Sequence, residues 1–194
     1  TLGIITFFIA REEGKNILYE ERNNWKYFWL VDPLDGTKEF IKKNGEFTVN
    51  IALLKDNEPI LGVIYAPAID CLYYGSQENG VWKQEGTSKK SISVNKNFSD
   101  GLIAVRSRSH ANEEENKFLA KFNIQNTISI GSSLKFCKIA EGKADIYYRH
   151  GPTMEWDTAA GHAIAKLAGA KIAGLQYNKK NLKNSSFYVI SNEF

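Results

Sequence analysis

Cysteine is scarce in this sequence of 194 residues, which contains only Cys71 and Cys137. The two cysteines lie far apart, and neither has the spacing to other cysteines or histidines that is typical of a metal site. This spacing also argues against the disulfide framework of a small secreted protein. We therefore interpret both residues as buried, reduced thiols in a cytoplasmic protein.

Long apolar runs and stripes of one charge are also absent. The apolar stretch TLGIITFFIA at residues 1–10 is too short to cross a bilayer, which takes ~20 residues. No basic segment precedes it, so a signal peptide is not indicated and we predict a buried strand. The first residue is not methionine, which suggests a processed chain or a fragment. The formal net charge is only +3, with lysines in no run longer than a pair, which argues against binding to a nucleic-acid polymer.

The first half of the sequence predicts an antiparallel sheet. YFWLV at residues 27–31 is typical of a strand, and Asn79-Gly80 is a strong hairpin signal between two more strands. The alternating stretch EFTVNIALL predicts a strand with four apolar side chains on one face: Phe47, Val49, Ile51 and Leu53.

The second half alternates between strand and helix patterns. LIAVRSRS, NTISIGSS and DIYYRH predict strands, whereas HANEEENKFLAKF, SLKFCKIAEGKA and WDTAAGHAIAKLAGA predict helices, the second of which Ser132 or Ser133 would cap. We therefore expect an α/β protein with two lobes. The first, residues 1–97, would carry the antiparallel sheet, and the second, residues 98–194, would be an α/β lobe.

The motif DPLDGT at residues 32–37 has a composition suited to a metal and a phosphate. Pro33 stiffens the loop and removes one backbone donor, so Asp32, Asp35 and the carbonyl of Leu34 form a set of hard oxygen ligands that suits Mg²⁺. Gly36 permits a left-handed turn, and the helix that we expect from Thr37 would offer free N–H groups to an anion. The alternative is an ordinary Asx-turn with a helix cap.

Two more acidic segments strengthen this interpretation. Glu12 and Glu13 follow the N-terminal strand, and Asp157 begins a helix whose first turns are small residues that permit close packing. Taken alone, Asp157 is better explained as a helix cap, which gains ~0.3–1 kcal/mol from the helix dipole.

Together these segments resemble the lithium-sensitive, Mg²⁺-dependent inositol monophosphatase superfamily. The resemblance extends from Glu12 over nearly the whole chain and is closer to the 3′(2′),5′-bisphosphate nucleotidase branch of the bacterial CysQ type. It rests on FWLVDPLDGTKEFIKKNGEFTVNIALL, PILGVIYAP, SRSH and SIGSSLKFCKIAEGKADIYYRHGPTMEWDTAAGHAIA. The resemblance implies a layered α/β sandwich in which the two lobes meet near Asp157.

The resemblance also implies roles for individual residues. The expected metal ligands, for two or three Mg²⁺ ions, are Glu12, Asp32, the Leu34 carbonyl, Asp35 and Asp157. Thr37 would orient the attacking water, with Glu12 and Asp32 as the other catalytic residues. The expected substrate contacts are Leu34, Asp35, Gly36, Thr37, Ser132, Ser133, Lys135, Arg149 and Asp157. Arg108 and His110, in SRSH, are expected to have a similar role on the nucleotide side.

The function expected from the resemblance is removal of the 3′-phosphate from adenosine 3′,5′-bisphosphate, and from its sulfated form, in sulfate assimilation. The expected partner is a small-molecule nucleotide, and the protein is expected to be a cytoplasmic monomer, with peripheral inner-membrane association as a family analogy. Two alternatives stay open: a phosphatase for inositol or sugar phosphates, and an inactive, N-terminally truncated protein that binds metal or nucleotide. Two departures support the last: Arg11 replaces a small residue, and an acidic residue that pairs with the threonine in the family lies in a segment that this sequence lacks.

Overall fold

The larger of two main sheets is built from the first half of the chain. The structure is a computed structural model, and it describes residues 7–11, 14, 16–108 and 113–191. The seven strands follow their order along the chain: β1 (Phe7–Ala10), β2 (Tyr27–Asp35), β3 (Thr48–Lys55), β4 (Glu58–Ala66), β5 (Cys71–Ser76), β6 (Gly80–Glu85) and β7 (Ser88–Ser91). β1 runs parallel to β2, and every later strand is antiparallel to its neighbour. The predicted antiparallel sheet and the β5–β6 hairpin are therefore present.

The alternation predicted for β3 is present in the structure. Thr48, Asn50, Ala52 and Leu54 are fully buried, whereas Val49, Ile51 and Leu53 are half-buried on the outer side of the sheet. The polar residues can be buried because they are hydrogen-bonded to Ser133. Its hydroxyl donates to Asn50 Oδ1 at 2.7 Å and lies 2.8 Å from the Thr48 hydroxyl.

The second sheet has the expected α/β character. Its five strands are β8 (Leu102–Ser107), β9 (Ile124–Ile130), β10 (Ile146–Arg149), β12 (Lys171–Ala173) and β14 (Phe187–Ile190), in the order β12-β14-β10-β8-β9. β8 is parallel to both β9 and β10, whereas β14 is antiparallel to its two neighbours. The short strands β11 (Thr153–Met154) and β13 (Lys183–Asn184) pair separately.

Five α-helices lie among the described residues: α1 (Tyr19–Arg22), α2 (Thr37–Ile41), α3 (Glu113–Leu119), α4 (Leu134–Ala140) and α5 (Glu155–Leu167). α2, α3 and α4 fall within segments that the sequence predicted as helical, and α5 begins one residue before its predicted segment. α3 begins next to residues 109–112, which lie outside the described part. None of these helices combines the length and the apolar character needed to cross a bilayer.

Helix α5 packs against the large sheet and against α4, so residues of both halves share one core. The contact is very close, because a Cβ added at Gly62 of β4 would lie 2.4 Å from the Ala160 carbonyl, and one added at Gly161 would lie 2.4 Å from the Phe136 ring. The small residues at the start of α5 therefore permit the close approach that the sequence predicted. The division into lobes after residue 97 stays a prediction.

Candidate active site

Two carboxylates of the DPLDGT motif lie at the end of β2. Asp32 pairs with Asn50 of β3 and Asp35 with Thr48, and the register shifts between them at Pro33, which has no N–H for the ladder. Asp32 is completely buried, and its Oδ1 accepts a hydrogen bond from the Leu34 N–H at 3.0 Å. This is the Asx-turn of the alternative interpretation, and it leaves the second oxygen of Asp32 available.

Helix α5 brings a third carboxylate to the same place. Asp157 is the third residue of α5, and its Oδ2 accepts the Met154 N–H at 2.9 Å, so it caps the helix. One oxygen from each of Asp32, Asp35 and Asp157 lies within 4.8 Å of the others. The structure thus brings together the three aspartates that the sequence singled out as metal ligands. Glu12 and Glu13 lie outside the described residues.

The electrostatics of this aspartate cluster favour a bound cation. Two unit charges ~4 Å apart repel by ~4 kcal/mol at an effective dielectric constant near 20. Burial, with Asp32 adding repulsion, raises the pKa of Asp35 to about 6. Burial and then the charge of Asp35 raise the pKa of Asp157 to about 7. In addition, Asp32 Oδ2 is buried without a hydrogen-bond partner among the described residues. An orphaned carboxylate oxygen beside two raised carboxyl pKa values fits a divalent metal ion that prefers oxygen ligands.

Arg11 reaches into the aspartate cluster from the end of β1. The parallel pairing of β1 with β2 continues through the Arg11 N–H, which donates to the Val31 carbonyl at 3.1 Å. From there its guanidinium Nη1 donates to Asp32 Oδ1 at 3.4 Å and to the Leu34 carbonyl, while Nη2 donates to the Thr37 hydroxyl at 3.2 Å. The sequence marked Arg11 only as a departure from the family, since this contact depends on the pairing of β1.

Gly36 and Thr37 lie between two adjoining cavities. Gly36 has φ +81°, and a Cβ there would lie 3.1 Å from the Ser132 Cβ, so the turn requires glycine. One cavity of about 470 Å³ is lined by Arg11 and the aspartate cluster, and a neighbouring cavity of about 250 Å³ extends toward α4 and β10. Both cavities are lined by Asp35, Gly36, Thr37 and Asp157. A ligand that occupies both would therefore pass over the DPLDGT turn.

The second cavity has cationic and aromatic walls. Lys135 is buried, and its ammonium donates to the Ser132 carbonyl at 2.7 Å and lies 5.7 Å from the centre of the Tyr147 ring. Burial lowers the pKa of Lys135 to about 8, against the raising effect of Asp35. Arg149 lines the same cavity from the end of β10, and its buried Nε has no hydrogen-bond partner in the part of the chain that the structure describes. These groups suit an anion next to a flat, apolar ring.

The two predicted serines differ in what they contact. Ser132 lines the second cavity, whereas the Ser133 hydroxyl is bonded inside the protein and its N–H donates to Asp35 Oδ2 at 2.6 Å. Ser133 occupies the N-cap position of α4 as predicted, but its side chain makes no capping bond. Its position therefore indicates support for Asp35 rather than direct contact with a ligand.

Arg108 of the SRSH segment lies outside the two cavities, whereas Glu39 lines one of them. Arg108 forms an ion pair with Glu46 at 2.6 Å and is not among the residues that line the two cavities. His110 lies outside the described residues, so its expected role stays a prediction. Sequence reasoning missed Glu39, which is buried and lines the second cavity from α2. Its place in the first turn after Thr37 was the available signal.

Comparison with known proteins gives consistent matches. The profile of the inositol monophosphatase family matches residues 6–193. The 3′(2′),5′-bisphosphate nucleotidase CysQ of Salmonella typhimurium is 53% identical over 154 residues, which cover 79% of this chain and 61% of that protein. The protein of the same name from Buchnera aphidicola is 50% identical over 190 residues, 93% of this chain and 70% of that one. The chain thus spans about three fifths of the length of the Salmonella relative.

Solved structures show the same fold. The crystal structure of CysQ from Bacteroides thetaiotaomicron, described as a bacterial member of the inositol monophosphatase family, has a TM-score of 0.88 and 41% identity. The match covers 99% of this chain and 79% of that chain. An inositol monophosphatase from Anabaena has a TM-score of 0.75 and 25% identity, over 95% of this chain and 73% of that one.

Proposed function

Because the chain belongs to the inositol monophosphatase family, we propose that it is a Mg²⁺-dependent phosphatase that removes the 3′-phosphate of adenosine 3′,5′-bisphosphate and of its sulfated form. The observation that carries this proposal is the convergence of Asp32, Asp35 and Asp157 beside a cavity with a buried lysine and an arginine. The 50–53% identity to proteins named CysQ supports the nucleotide rather than another phosphate ester as substrate.

The three aspartates and the Leu34 carbonyl would hold the metal, with Glu12 as a further proposed ligand. Bound Mg²⁺ supplies neutralisation of the phosphate charge, a lower pKa for a bound water and stabilisation of the leaving alkoxide. Thr37, which lines both cavities, would orient the attacking water. The N–H groups of Gly36 and Thr37 would hold the phosphoryl oxygens, so the scissile phosphate would sit where the two cavities meet.

The second cavity would receive the rest of the nucleotide. Lys135 and Arg149 would bind the 5′-phosphate, because both are cations at the wall of this cavity. Ser132 would contact the ribose or the same phosphate. We further propose a cytoplasmic monomer whose partner is this small molecule, and the family analogy would add peripheral contact with the inner membrane.

A specific observation also favours an inactive, ligand-binding protein as the second candidate. The guanidinium of Arg11 bonds to Asp32, to the Leu34 carbonyl and to Thr37, which are the groups that the reaction would need. A phosphatase for inositol phosphate would have no use for the cationic second cavity, and is the weaker alternative.

The three candidates differ in a phosphate-release assay. We expect Mg²⁺-dependent release from adenosine 3′,5′-bisphosphate that is much faster than release from inositol 1-phosphate and is inhibited by Li⁺. The Asp32→Asn variant should lose activity by at least ~100-fold, because the negative charge is lost and one carboxylate oxygen becomes an NH₂ group that cannot bind a metal. The matched control is Asp56→Asn, which changes an exposed aspartate in the β3–β4 turn.

If phosphate is released faster from inositol 1-phosphate than from adenosine 3′,5′-bisphosphate, the protein is an inositol phosphate phosphatase and the nucleotidase proposal is wrong. Binding of nucleotide and Mg²⁺ without any turnover would support the inactive protein. Equal activity of Asp32→Asn and Asp56→Asn would remove the aspartate cluster from the reaction.

A further inference from the structure

Arg11 makes contacts in the aspartate cluster that the proposed reaction does not explain. Its guanidinium bonds to a carboxylate oxygen, a carbonyl oxygen and a hydroxyl oxygen, all from residues 32–37. These are the types of oxygen that a divalent cation binds. The planar guanidinium, with its several N–H donors, therefore binds in this structure the same loop oxygens that a metal ion would bind.

The contacts of Arg11 divide the site into two halves. Arg11 bonds to Oδ1 of Asp32, whereas Oδ2 of the same carboxylate has no hydrogen-bond partner among the described residues although it is completely buried. No hydrogen bond or ion pair joins Arg11 to Asp35 or Asp157 in the described part of the chain, and their oxygens lie within 4.8 Å of Asp32. Arg11 thus occupies Asp32 Oδ1 and the Leu34 carbonyl, which form the first half of the site, and it makes no hydrogen bond to Asp32 Oδ2.

A metal ion and the guanidinium cannot share the first half. An ion bound to Asp32 Oδ1 and the Leu34 carbonyl would occupy the space of the Arg11 nitrogens, and the like charges would repel. The side chain has room to leave, because it is 36% exposed and borders the cavity of about 470 Å³. The backbone can stay in place during this movement, since the Arg11 N–H is bonded to Val31 of β2.

We propose that the Arg11 guanidinium occupies the half of the metal site formed by Asp32 Oδ1 and the Leu34 carbonyl. The side chain must move away from these oxygens before a divalent ion binds there. This inference rests on the metal site of the proposed function. Its consequence is that one cation binds tightly between Asp32, Asp35 and Asp157 with Arg11 in place. A second cation binds weakly, and its affinity is set by Arg11.

The test is calorimetric titration of the purified chain with MgCl₂ and with MnCl₂, without substrate. Arg11→Ser should tighten the weaker binding event by about tenfold or more, since it removes charge-assisted hydrogen bonds that the ion has to replace. The tighter event should change little. Arg11→Lys keeps the charge but loses the planar guanidinium, so its weaker event should lie between those of wild type and Arg11→Ser. Thermal unfolding of each variant reports whether it is folded.

The matched control is Arg106→Ser, which removes a guanidinium that pairs with Glu115 away from the site. Its isotherm should equal that of the wild type. Equal isotherms for wild type and Arg11→Ser, or weaker binding by Arg11→Ser, would overturn the role of Arg11 and leave the proposed function intact. Absence of heat for all folded variants with both metals would overturn the metal site together with the inference.

Discussion

At the scale of single residues, Asp32 shows how one carboxylate serves structure and chemistry together. Its Oδ1 closes the turn at Leu34 and meets Arg11, while its Oδ2 is buried without a partner among the described residues. Leaving a buried carboxylate oxygen unpaired costs stability, and proteins tolerate this cost where a ligand completes the site. The Asx-turn and the metal-ligand interpretations of the motif are therefore compatible.

The first prediction concerns substrate binding by Lys135. Lys135→Met keeps the length and the apolar stem of the side chain and removes the charge that faces the second cavity. We expect KM for adenosine 3′,5′-bisphosphate to rise about tenfold with little change in kcat, because the 5′-phosphate keeps its position in ground state and transition state alike. Steady-state kinetics measure this split. Lys143→Met, an exposed lysine, is the control, and a fall in kcat without a change in KM would contradict the assignment.

His162 carries a prediction for pH dependence. It is buried in α5, its Nδ1 lies 3.0 Å from the Tyr177 hydroxyl, and burial lowers its pKa to about 4, below the ordinary value of 6.5. Between these values the unfolded state binds more protons than the folded state, so the free energy of unfolding decreases as the pH falls. The loss contributed by His162 is at most about 3 kcal/mol.

Urea unfolding of wild type and His162→Gln across pH 4–7 isolates this contribution. The wild type should lose stability relative to the variant as the pH falls below 6.5. A constant difference between the two proteins over the range would show that His162 is accessible to protons in the folded state.

At the scale of elements, the sequence predicted the periodicity of β3 but not which of its faces is buried. The alternation of β3 correctly placed Val49 and Ile51 on one face, and the structure buries the other face, with Thr48 and Asn50, more completely. A pattern of period two cannot show which face is covered when one face is polar but internally hydrogen-bonded. The Ser133 hydroxyl that makes this burial possible comes from a segment about 85 residues later in the chain.

Convergence of the aspartates was predictable, whereas the position of Arg11 was not. The DPLDGT turn and the start of α5 both have local signals, and the family resemblance joined them into one site. Arg11 reaches Asp32 only because β1 pairs in parallel with β2, and parallel pairing of two distant segments leaves no local signal.

The close packing of α5 on β4 gives a prediction at this scale. Gly62→Ala would place a Cβ 2.4 Å from the Ala160 carbonyl, so we expect a loss of about 1–3 kcal/mol in the free energy of unfolding. Activity should fall as well, because α5 carries Asp157. Gly75→Ala on β5, where the nearest atom would be 3.1 Å away, is the control and should lose less. Similar losses in chemical denaturation would contradict a special role for the α5–β4 contact.

At the scale of the whole molecule, the aspartate cluster couples metal binding to stability. The raised pKa values of Asp35 and Asp157, about 6 and about 7, mean that the folded state holds protons that the unfolded state has released. These bound protons therefore stabilise the folded, metal-free protein. The stabilisation is complete below the ordinary carboxyl pKa, and it is lost as the pH rises through about 6 to 7. A divalent cation compensates for the charges that then remain.

This coupling predicts a pH-dependent stabilisation by Mg²⁺. The unfolding temperature should rise on addition of excess MgCl₂ near pH ~8, and the rise should be much smaller near pH ~5, where protons compete with the ion. Thermal scans in MgCl₂ and in EDTA measure the difference. Asp157→Asn should reduce the rise at the higher pH, and an equal rise at both pH values in the wild type would contradict the coupling.

The most direct test of the account is the anomalous scattering of Mn²⁺ in crystals of this chain. We predict a peak in coordination contact with oxygens of Asp32, Asp35 and Asp157 together. A well-ordered site with no anomalous peak between these three side chains, at Mn²⁺ concentrations that bind in solution, would contradict the claim that they form one metal site.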